Sequence, residues 1–306
     1  MNDADRLPKM RETEVTIEAG DAVLSGSLCE AVGAGPVPCV LMLPGSGPLD
    51  RNENVPGQRL DIFNAIARHL AAAGFASLRY DKRGCGSSNG DYLRAGYFDF
   101  VEDAIACFDS LKRHPRCNGR IYLLGHSEGT VTAMHVSLQR PEVAGIIQLC
   151  PTAENFESTL MRQAAHLRDV LPAASETADP VTNQKNLLER VKAGQAEPHE
   201  VELHHIGLKW FREVLDLDVP GLYAKMRHPM LLIAGAKDVQ CHAAALPTIR
   251  GMTSAPIEIV VMPDLTHLLR SDREPASILR YPMLMHEPLE PLVLQLISRW
   301  LSGQPH

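Results

Sequence analysis

Excess positive charge and long apolar runs are both missing from this chain of 306 residues. The formal net charge is -7, with 30 Lys and Arg against 37 Asp and Glu. The chain therefore lacks the basic surface that binding to nucleic acid or to an anionic membrane requires. No segment approaches the roughly 18 consecutive apolar residues that a membrane-spanning helix needs. We therefore expect neither a nucleic acid nor a membrane as partner. The expected substrate is a neutral small molecule. The sequence leaves open whether the protein forms a homo-oligomer.

Cysteines at metal-binding or redox spacing are missing as well. The seven cysteines are odd in number and include no Cys-x-x-Cys pair, and several fall in predicted strands or helices. This usage indicates buried free thiols and a reducing compartment. The first six residues are polar and carry no apolar core of a signal peptide. We therefore expect a cytoplasmic protein.

Composition and length favour one globular core with one insertion. Hydrophobic residues make up 45% of the chain and charged residues 22%, which is ordinary for a folded domain. A single α/β sheet commonly reaches about 200 to 250 residues, so a chain of this length has room for additional structure.

The pentapeptide Gly125-His126-Ser127-Glu128-Gly129 lies between an apolar run, residues 121–124, and a helix-like segment, residues 130–135. A serine at such a strand-to-helix turn has a strained backbone and an exposed hydroxyl, and the flanking glycines give room for the tight crossing. Ser127 is therefore the predicted nucleophile.

A serine nucleophile needs a histidine base and a carboxylate that orients this histidine. Asp238 follows the buried strand pattern of residues 230–235, and His267 follows the next apolar stretch, residues 257–262. Both residues lie after strand ends, where a parallel sheet presents its functional loops. We predict Asp238 as the acid and His267 as the base. Asp264 is a weaker alternative for the acid, and His242 is expected to be a surface residue.

Acyl transfer also needs backbone N–H groups that stabilise the oxyanion. One is normally supplied by the residue after the nucleophile, here Glu128, and one by a loop after an early strand. Residues 39–43 have the pattern of such a strand and lead into Pro44-Gly45-Ser46-Gly47-Pro48. The N–H groups of Ser46 and Glu128 are the predicted donors.

Strand and helix patterns alternate along most of the chain. Two short strands are expected between residues 12 and 31, as a hairpin around residues 19–21. Helical spacing follows at residues 58–73 and 98–111, with strands at 75–80 and 143–150, and an apolar stripe from Leu289 to Leu301 predicts a last helix. This alternation predicts an α/β fold, a mostly parallel sheet with helices on both faces.

Almost eighty residues without a strand pattern separate Cys150 from Pro229, too many for a structureless loop. Helical composition at residues 156–170, 182–191 and 204–215, with breaks expected at Pro172, Pro180 and Pro198, predicts a helical cap over residues 154–223. The core then comprises residues 1–153 and 224–306. Substrate contacts are expected from Trp210, Phe211, Tyr223 and His126.

A metal or other cofactor is not expected. His204 and His205 are adjacent, but neither a carboxylate nor a third histidine lies at ligand spacing from them.

Together these segments resemble the α/β-hydrolase superfamily, specifically its cytosolic esterase and serine-aminopeptidase-like branch. The resemblance rests on the serine turn, on the Asp238 and His267 loops in the order Ser, Asp, His, and on two further segments. Residues 44–52 are similar to the family's oxyanion loop, although the sequence has proline where many relatives have histidine. Residues 80–88 are similar to its next loop.

The resemblance implies a serine hydrolase that cleaves carboxylic esters of small to medium, mostly apolar, neutral substrates through an acyl-enzyme. An amidase or aminopeptidase activity, or a thioesterase or acyltransferase activity, on the same residues stays open. A catalytically silent ligand receptor is a more remote alternative.

Overall fold

One sheet of eight strands forms the frame of the molecule. The computed structural model describes residues 9–33, 35–171, 179–202 and 206–305. The strands are β1 (Met10–Ala19), β2 (Ala22–Ala31), β3 (Val37–Leu43), β4 (Ala76–Tyr80), β5 (Cys117–His126), β6 (Gly145–Leu149), β7 (Met230–Gly235) and β8 (Ile257–Met262). Their order across the sheet is β1-β2-β4-β3-β5-β6-β7-β8. β2 pairs antiparallel with β1 and with β4, and every other neighbouring pair is parallel. The predicted mostly parallel sheet and the predicted first hairpin are confirmed.

The central strands are buried on both faces, as their continuous apolar sequences predict. All five residues of β4 and of β6 are buried, and so are all six of β7. Parallel strands covered on both faces favour such uninterrupted apolar runs. β1 lies at the edge of the sheet, and its first five residues are exposed.

Helices cover both faces of the sheet. The described helices are α1 (Ile62–Ala72), α2 (Tyr97–Arg113), α3 (Glu128–Gln139), α4 (Phe156–Val170), α5 (Pro180–Lys192), α6 (Pro198–Glu202), α7 (Leu208–Leu215), α8 (Val219–Lys225), α9 (Ile249–Met252), α10 (Tyr281–Leu284) and α11 (Pro291–Ser302). One hydrophobic cluster joins the sheet to α2 and α3, and a second joins the opposite face to α1 and α11. No described helix has the length and apolar character needed to cross a membrane.

Five of these helices, α4 to α8, lie between β6 and β7, where the strandless stretch predicted helical structure. Pro180 and Pro198 begin α5 and α6 rather than interrupting them. Proline is favoured in the first helical turn, because its missing N–H would have no partner there. The Asp179 carboxylate accepts the N–H of Thr182 and caps α5. Pro172 lies outside the described residues.

The register of the central strands brings distant loops together at one edge of the sheet. Leu43 at the end of β3 pairs with Gly125 of β5, and Gly125 pairs with Gln148 of β6. Gly235 at the end of β7 pairs with Met262 of β8. The loops that follow β3, β5, β7 and β8 therefore leave the sheet on the same side, which is where parallel sheets place their functional residues.

Candidate active site

Ser127 occupies a strained turn between β5 and α3. Its backbone angles are φ 54° and ψ -120°, a conformation that L-residues rarely adopt. The neighbouring glycines are required by close packing, because a Cβ on Gly125 would lie 2.1 Å from the carbonyl oxygen of Gly129. A Cβ on Gly129 would lie 2.0 Å from the carbonyl oxygen of Leu43. The Gly-x-Ser-x-Gly pattern therefore reflects steric necessity at a strained serine.

His267 and Asp238 meet across the loops that follow β8 and β7. His267 Nδ1 lies 2.8 Å from Asp238 Oδ2, and both side chains are buried. The second oxygen, Oδ1, accepts the backbone N–H groups of Gln240 and Cys241, each at 2.8 Å. Burial acts to raise the pKa of Asp238, but the imidazole and these N–H donors outweigh it and hold that pKa below its usual value. Asp238 is thus an oriented carboxylate that faces an imidazole nitrogen.

The alternative acid and the alternative histidine have other surroundings. The Asp264 side chain is 47% exposed, and its Oδ1 lies 3.1 Å from Lys237 Nζ. His242 is exposed and precedes a short 3₁₀ turn. Of the two carboxylates considered, Asp238 is the one that contacts the His267 ring.

A cavity of about 240 Å³ contains both Ser127 and His267 on its wall. Its remaining wall comes mainly from the loop after β3 and from the segment around α10. These other lining residues are Gly45, Ser46, Leu49, Glu53, Val55, Gln58, Leu60, His126, Gln240, Leu268, Tyr281 and Met285. Half of these twelve residues have apolar or aromatic side chains, and the other half supply a few polar groups and one glycine.

The predicted oxyanion donors lie at this cavity and beside it. Ser46 lines the cavity, and its N–H has no hydrogen-bond acceptor among the described residues. The preceding N–H, that of Gly45, donates to Glu53 Oε1 at 2.9 Å. Glu128 begins α3, and the first N–H groups of a helix have no partner within the helix. Both predicted donors are therefore unoccupied next to the serine.

Three of the four residues expected to touch substrate lie elsewhere. Trp210 and Phe211 stack on each other in α7, and both are buried. The Tyr223 hydroxyl donates to Gln148 Oε1 at 2.8 Å. No described residue of α4 to α8 lines the cavity, whereas His126, the fourth, does.

Two buried charge networks beside the serine were not found by sequence reasoning. Glu53 Oε2 lies 2.8 Å from His126 Nδ1. The carboxylate of Glu128 lies 3.3 Å from Lys82 Nζ and accepts the Trp210 indole N–H at 2.7 Å. The segment that is similar to known oxyanion loops ends at residue 52, one position before Glu53. The signal for Glu53 was a carboxylate that directly follows this glycine-rich loop.

Two sets of side chains bring possible metal donors within 4.8 Å of one another, namely His126, Cys150 and His267, and Asp238, Cys241 and His267. In each set one histidine nitrogen already has a partner. His267 Nδ1 faces Asp238, and His126 Nε2 lies 3.0 Å from the His267 carbonyl oxygen. We therefore assign these side chains to the hydrogen-bond network of the site. His204 and His205 lie outside the described residues.

The mostly parallel sheet, with a strained serine at a strand-to-helix turn, defines an α/β hydrolase. Residues 57–274 match the family of hydrolases described as serine aminopeptidase, S33, and the chain belongs to that family. The matched range includes Ser127, Asp238 and His267.

Similar proteins include named esterases. Esterase EstD of Thermotoga maritima is 27% identical over 294 residues, which cover 95% of this chain and 67% of EstD. Est1E of Butyrivibrio proteoclasticus, solved with ferulic acid bound, has a TM-score of 0.64 at 18% identity and covers 95% of this chain and 98% of its own. The Pyrococcus furiosus esterase Pf2001 has a TM-score of 0.63 at 18% identity and covers 96% and 91%, respectively. The two structural likenesses establish the fold.

Proposed function

We propose that this chain is a carboxylesterase-type serine hydrolase with Ser127 as nucleophile, His267 as base and Asp238 as the orienting acid. The observation that carries the proposal is the buried 2.8 Å contact between His267 Nδ1 and Asp238 Oδ2, with His267 on the wall of the cavity that Ser127 also lines. An imidazole held in this way keeps its proton on Nδ1 and leaves Nε2 free to accept one.

In the proposed reaction, Ser127 Oγ attacks the ester carbonyl while His267 Nε2 takes the hydroxyl proton. The backbone N–H groups of Ser46 and Glu128 stabilise the oxyanion. His267 then returns the proton to the departing alcohol, which leaves an acyl-serine. Water, activated by the same imidazole, releases the carboxylic acid and restores the enzyme.

The cavity supports an ester of small to medium size. Its volume of about 240 Å³ lies below the roughly 300 to 1,000 Å³ of pockets for drug-sized ligands. We propose that its apolar side chains, which include Leu49, Leu268 and Met285, hold the acyl or alcohol group. The residues 154–223 then act as a cap that supports the site from the side of Glu128.

Esters are favoured over substrates with a free N-terminus. An aminopeptidase needs an available carboxylate for the substrate's ammonium group, and Glu53 is the carboxylate residue among those that line the cavity. Its oxygens already face the Gly45 N–H and His126 Nδ1. The name of the relative EstD points in the same direction.

We further propose that the protein works in a reducing compartment such as the cytoplasm. All seven cysteines lie within the described residues, and all are free thiols, six of them buried.

A substrate panel tests the proposed activity. Short, long and aromatic p-nitrophenyl esters, the corresponding thioesters and aminoacyl anilides are compared, with the Ser127→Ala variant as the background for each. We expect kcat/KM for the best ester to exceed that for any anilide by at least about 10-fold, the discrimination that pocket contacts of this kind provide. A preference for aminoacyl anilides would establish the aminopeptidase alternative. No turnover of any compound would favour the receptor.

A further inference from the structure

His126 has an acceptor at each of its ring nitrogens. Nε2 lies 3.0 Å from the backbone carbonyl oxygen of His267, and a carbonyl oxygen can only accept. Nε2 must therefore carry hydrogen. Nδ1 lies 2.8 Å from Glu53 Oε2. Nδ1 thus faces a buried carboxylate oxygen while Nε2 faces a carbonyl, and the imidazolium is the form of the ring whose charge this carboxylate complements.

The partner carboxylate is itself fixed. Glu53 is 1% exposed, and its other oxygen accepts the Gly45 N–H at 2.9 Å. Its backbone φ is 64°, a left-handed conformation that is uncommon for a residue other than glycine. Strain of this kind persists only where surrounding contacts fix the residue, and it occurs often at functional sites.

We propose that Glu53 and His126 form a buried carboxylate–imidazolium pair that positions the oxyanion loop and the backbone of the base relative to the nucleophile. The inference rests on the function proposed above. The chain of contacts runs from the Gly45 N–H through Glu53 and His126 to the His267 carbonyl, and His126 is the residue directly before Ser127. Three loops that meet only through folding are joined by one charged pair. Its members are positioning residues, since neither is assigned a step on the reacting atoms.

The charges around His126 agree with this assignment. Burial acts to lower the pKa of His126, but the Glu53 carboxylate, the His267 carbonyl and Asp238 together outweigh it, so the pKa is raised. The His267 ring packs beside His126 with centroids 5.0 Å apart. Cys150 also faces the ring, and burial raises the pKa of its thiol well above the usual value, so the thiol is neutral.

The pair has a definite pH dependence. A histidine whose pKa is raised on folding stabilises the folded protein fully at pH below the ordinary histidine value, and this contribution is lost as pH rises through the raised pKa. Above that pH, Nδ1 and the Glu53 carboxylate are two acceptors in contact, and the contact between His126 and Glu53 is lost. We therefore expect kcat to fall as pH rises through the raised pKa of His126. This fall is the alkaline limb of the pH profile.

The variant Glu53→Gln separates charge from geometry. The amide oxygen can still accept the Gly45 N–H, and the amide NH₂ can donate to a neutral Nδ1, so all contacts persist without an ion pair. Glu53→Ala removes both contacts. We expect Glu53→Ala to lower kcat about 100-fold with little change in KM, because misplacement of reacting groups by about 1 Å costs this much. Glu53→Gln should keep kcat within about 10-fold and should lose the alkaline limb.

The test combines ¹⁵N NMR of the histidine rings with kinetics on a short-chain ester. In the wild type, the His126 ring should keep the imidazolium pattern at a pH above the ordinary histidine pKa, and in Glu53→Gln it should show the neutral pattern with hydrogen on Nε2 at that pH. His135 is the internal reference, since burial lowers its pKa to about 4 and keeps it neutral. A neutral His126 in the wild type, or an alkaline limb that persists unchanged in Glu53→Gln, would overturn the proposal.

The NMR measurement does not depend on activity. If the wild type hydrolyses no ester, the proposed function fails, while the ring pattern still decides whether the pair is charged. If Glu53→Ala does not fold, the wild type and Glu53→Gln decide the outcome between them.

Discussion

Two carboxylates compete for the role of acid at His267, and their surroundings differ sharply. Asp238 is fully buried, faces Nδ1 and accepts two backbone N–H groups. Asp264 is about half exposed and pairs with Lys237. A surface ion pair of that kind contributes about 0 to 1 kcal/mol, whereas a buried carboxylate that loses its partner is costly. From their positions in the sequence, both residues could serve as the acid, with Asp264 the weaker alternative. The local hydrogen bonds favour Asp238.

Replacing each carboxylate by its amide tests this assignment. Asp238→Asn favours the wrong imidazole tautomer and should lower kcat by about 10⁴-fold. Asp264→Asn should change kcat by less than about 3-fold, since it loses only an exposed ion pair. The measurement is ester turnover at saturating substrate for both variants. The reverse ranking would transfer the acid to the His267 loop.

The glycines of the serine turn make a separate prediction about stability. Gly129→Ala forces a methyl group against the Leu43 carbonyl and should destabilise the fold by more than about 3 kcal/mol in a denaturant titration. The matched control is Gly251→Ala in α9, where a Cβ meets nothing within 4 Å. This control should be neutral or slightly stabilising. Equal stability of the two variants would contradict the packing argument.

At the scale of elements, α7 is tied to the active site through buried polar contacts. Trp210 donates to the Glu128 carboxylate, which pairs with Lys82. Lys82 Nζ also donates to the Gly45 carbonyl at 2.8 Å and lies 4.4 Å from the Phe100 ring centroid. The aromatic residues of α7 therefore support the helix of the nucleophile and the oxyanion loop. They are packed away from the cavity.

Replacing a cavity side chain by alanine should change the ester preference, whereas replacing a cap side chain should change stability alone. Met285→Ala should shift relative kcat/KM among short, long and aromatic esters by about 10-fold or more, because pocket contacts of this size contribute roughly 1 to 3 kcal/mol. The matched control, Phe211→Ala, removes a buried side chain and should cost about 3 to 5 kcal/mol of stability. It should leave the ester profile of the folded enzyme unchanged. A shifted profile in Phe211→Ala alone would place the substrate under the cap.

The sequence predicted elements well where one strong signal decided them. Continuous apolar runs located β3 to β8, and the order of loops after parallel strands located Ser127, Asp238 and His267. Short elements without periodicity were missed, including α10 and the 3₁₀ turn before it, which place Tyr281 and Met285 at the cavity. The aromatic residues of the insertion predict a substrate pocket, but they are buried in the protein interior. A buried tryptophan needs an acceptor for its N–H, and Trp210 finds this acceptor at Glu128, away from the cavity. Side-chain pairing across loops is a property of the fold that spacing along the chain does not encode.

At the scale of the whole molecule, the sheet brings residues that are more than two hundred positions apart in the sequence to one cavity. Ser46, Ser127 and His267 come from loops after three different strands, and Tyr281 comes from a segment beyond β8. The chemistry proposed for them uses only protons, hydrogen bonds and a serine oxygen. Among the side chains that could hold a metal, Asp238 already contacts His267 Nδ1, and His126 Nε2 already contacts the His267 carbonyl oxygen.

Removal of metal ions therefore should not affect turnover. We expect kcat/KM for the best ester to be unchanged after dialysis against a chelator, and zinc added back should not increase it. A loss of activity that zinc restores would contradict the proposed mechanism.

Covalent labelling of Ser127 tests the central proposal most directly. A small fluorophosphonate is reacted with the wild type, with Ser127→Ala and with Ser46→Ala, and the labelled peptide is identified by mass spectrometry. Ser46→Ala is the matched control, since Ser46 lines the same cavity and is proposed to act through its backbone N–H. We predict one label, on Ser127, in the wild type and in Ser46→Ala, together with a loss of about 10⁴- to 10⁶-fold in ester kcat for Ser127→Ala. Label at another residue, or a Ser127→Ala variant that keeps a tenth of the wild-type turnover, would contradict it.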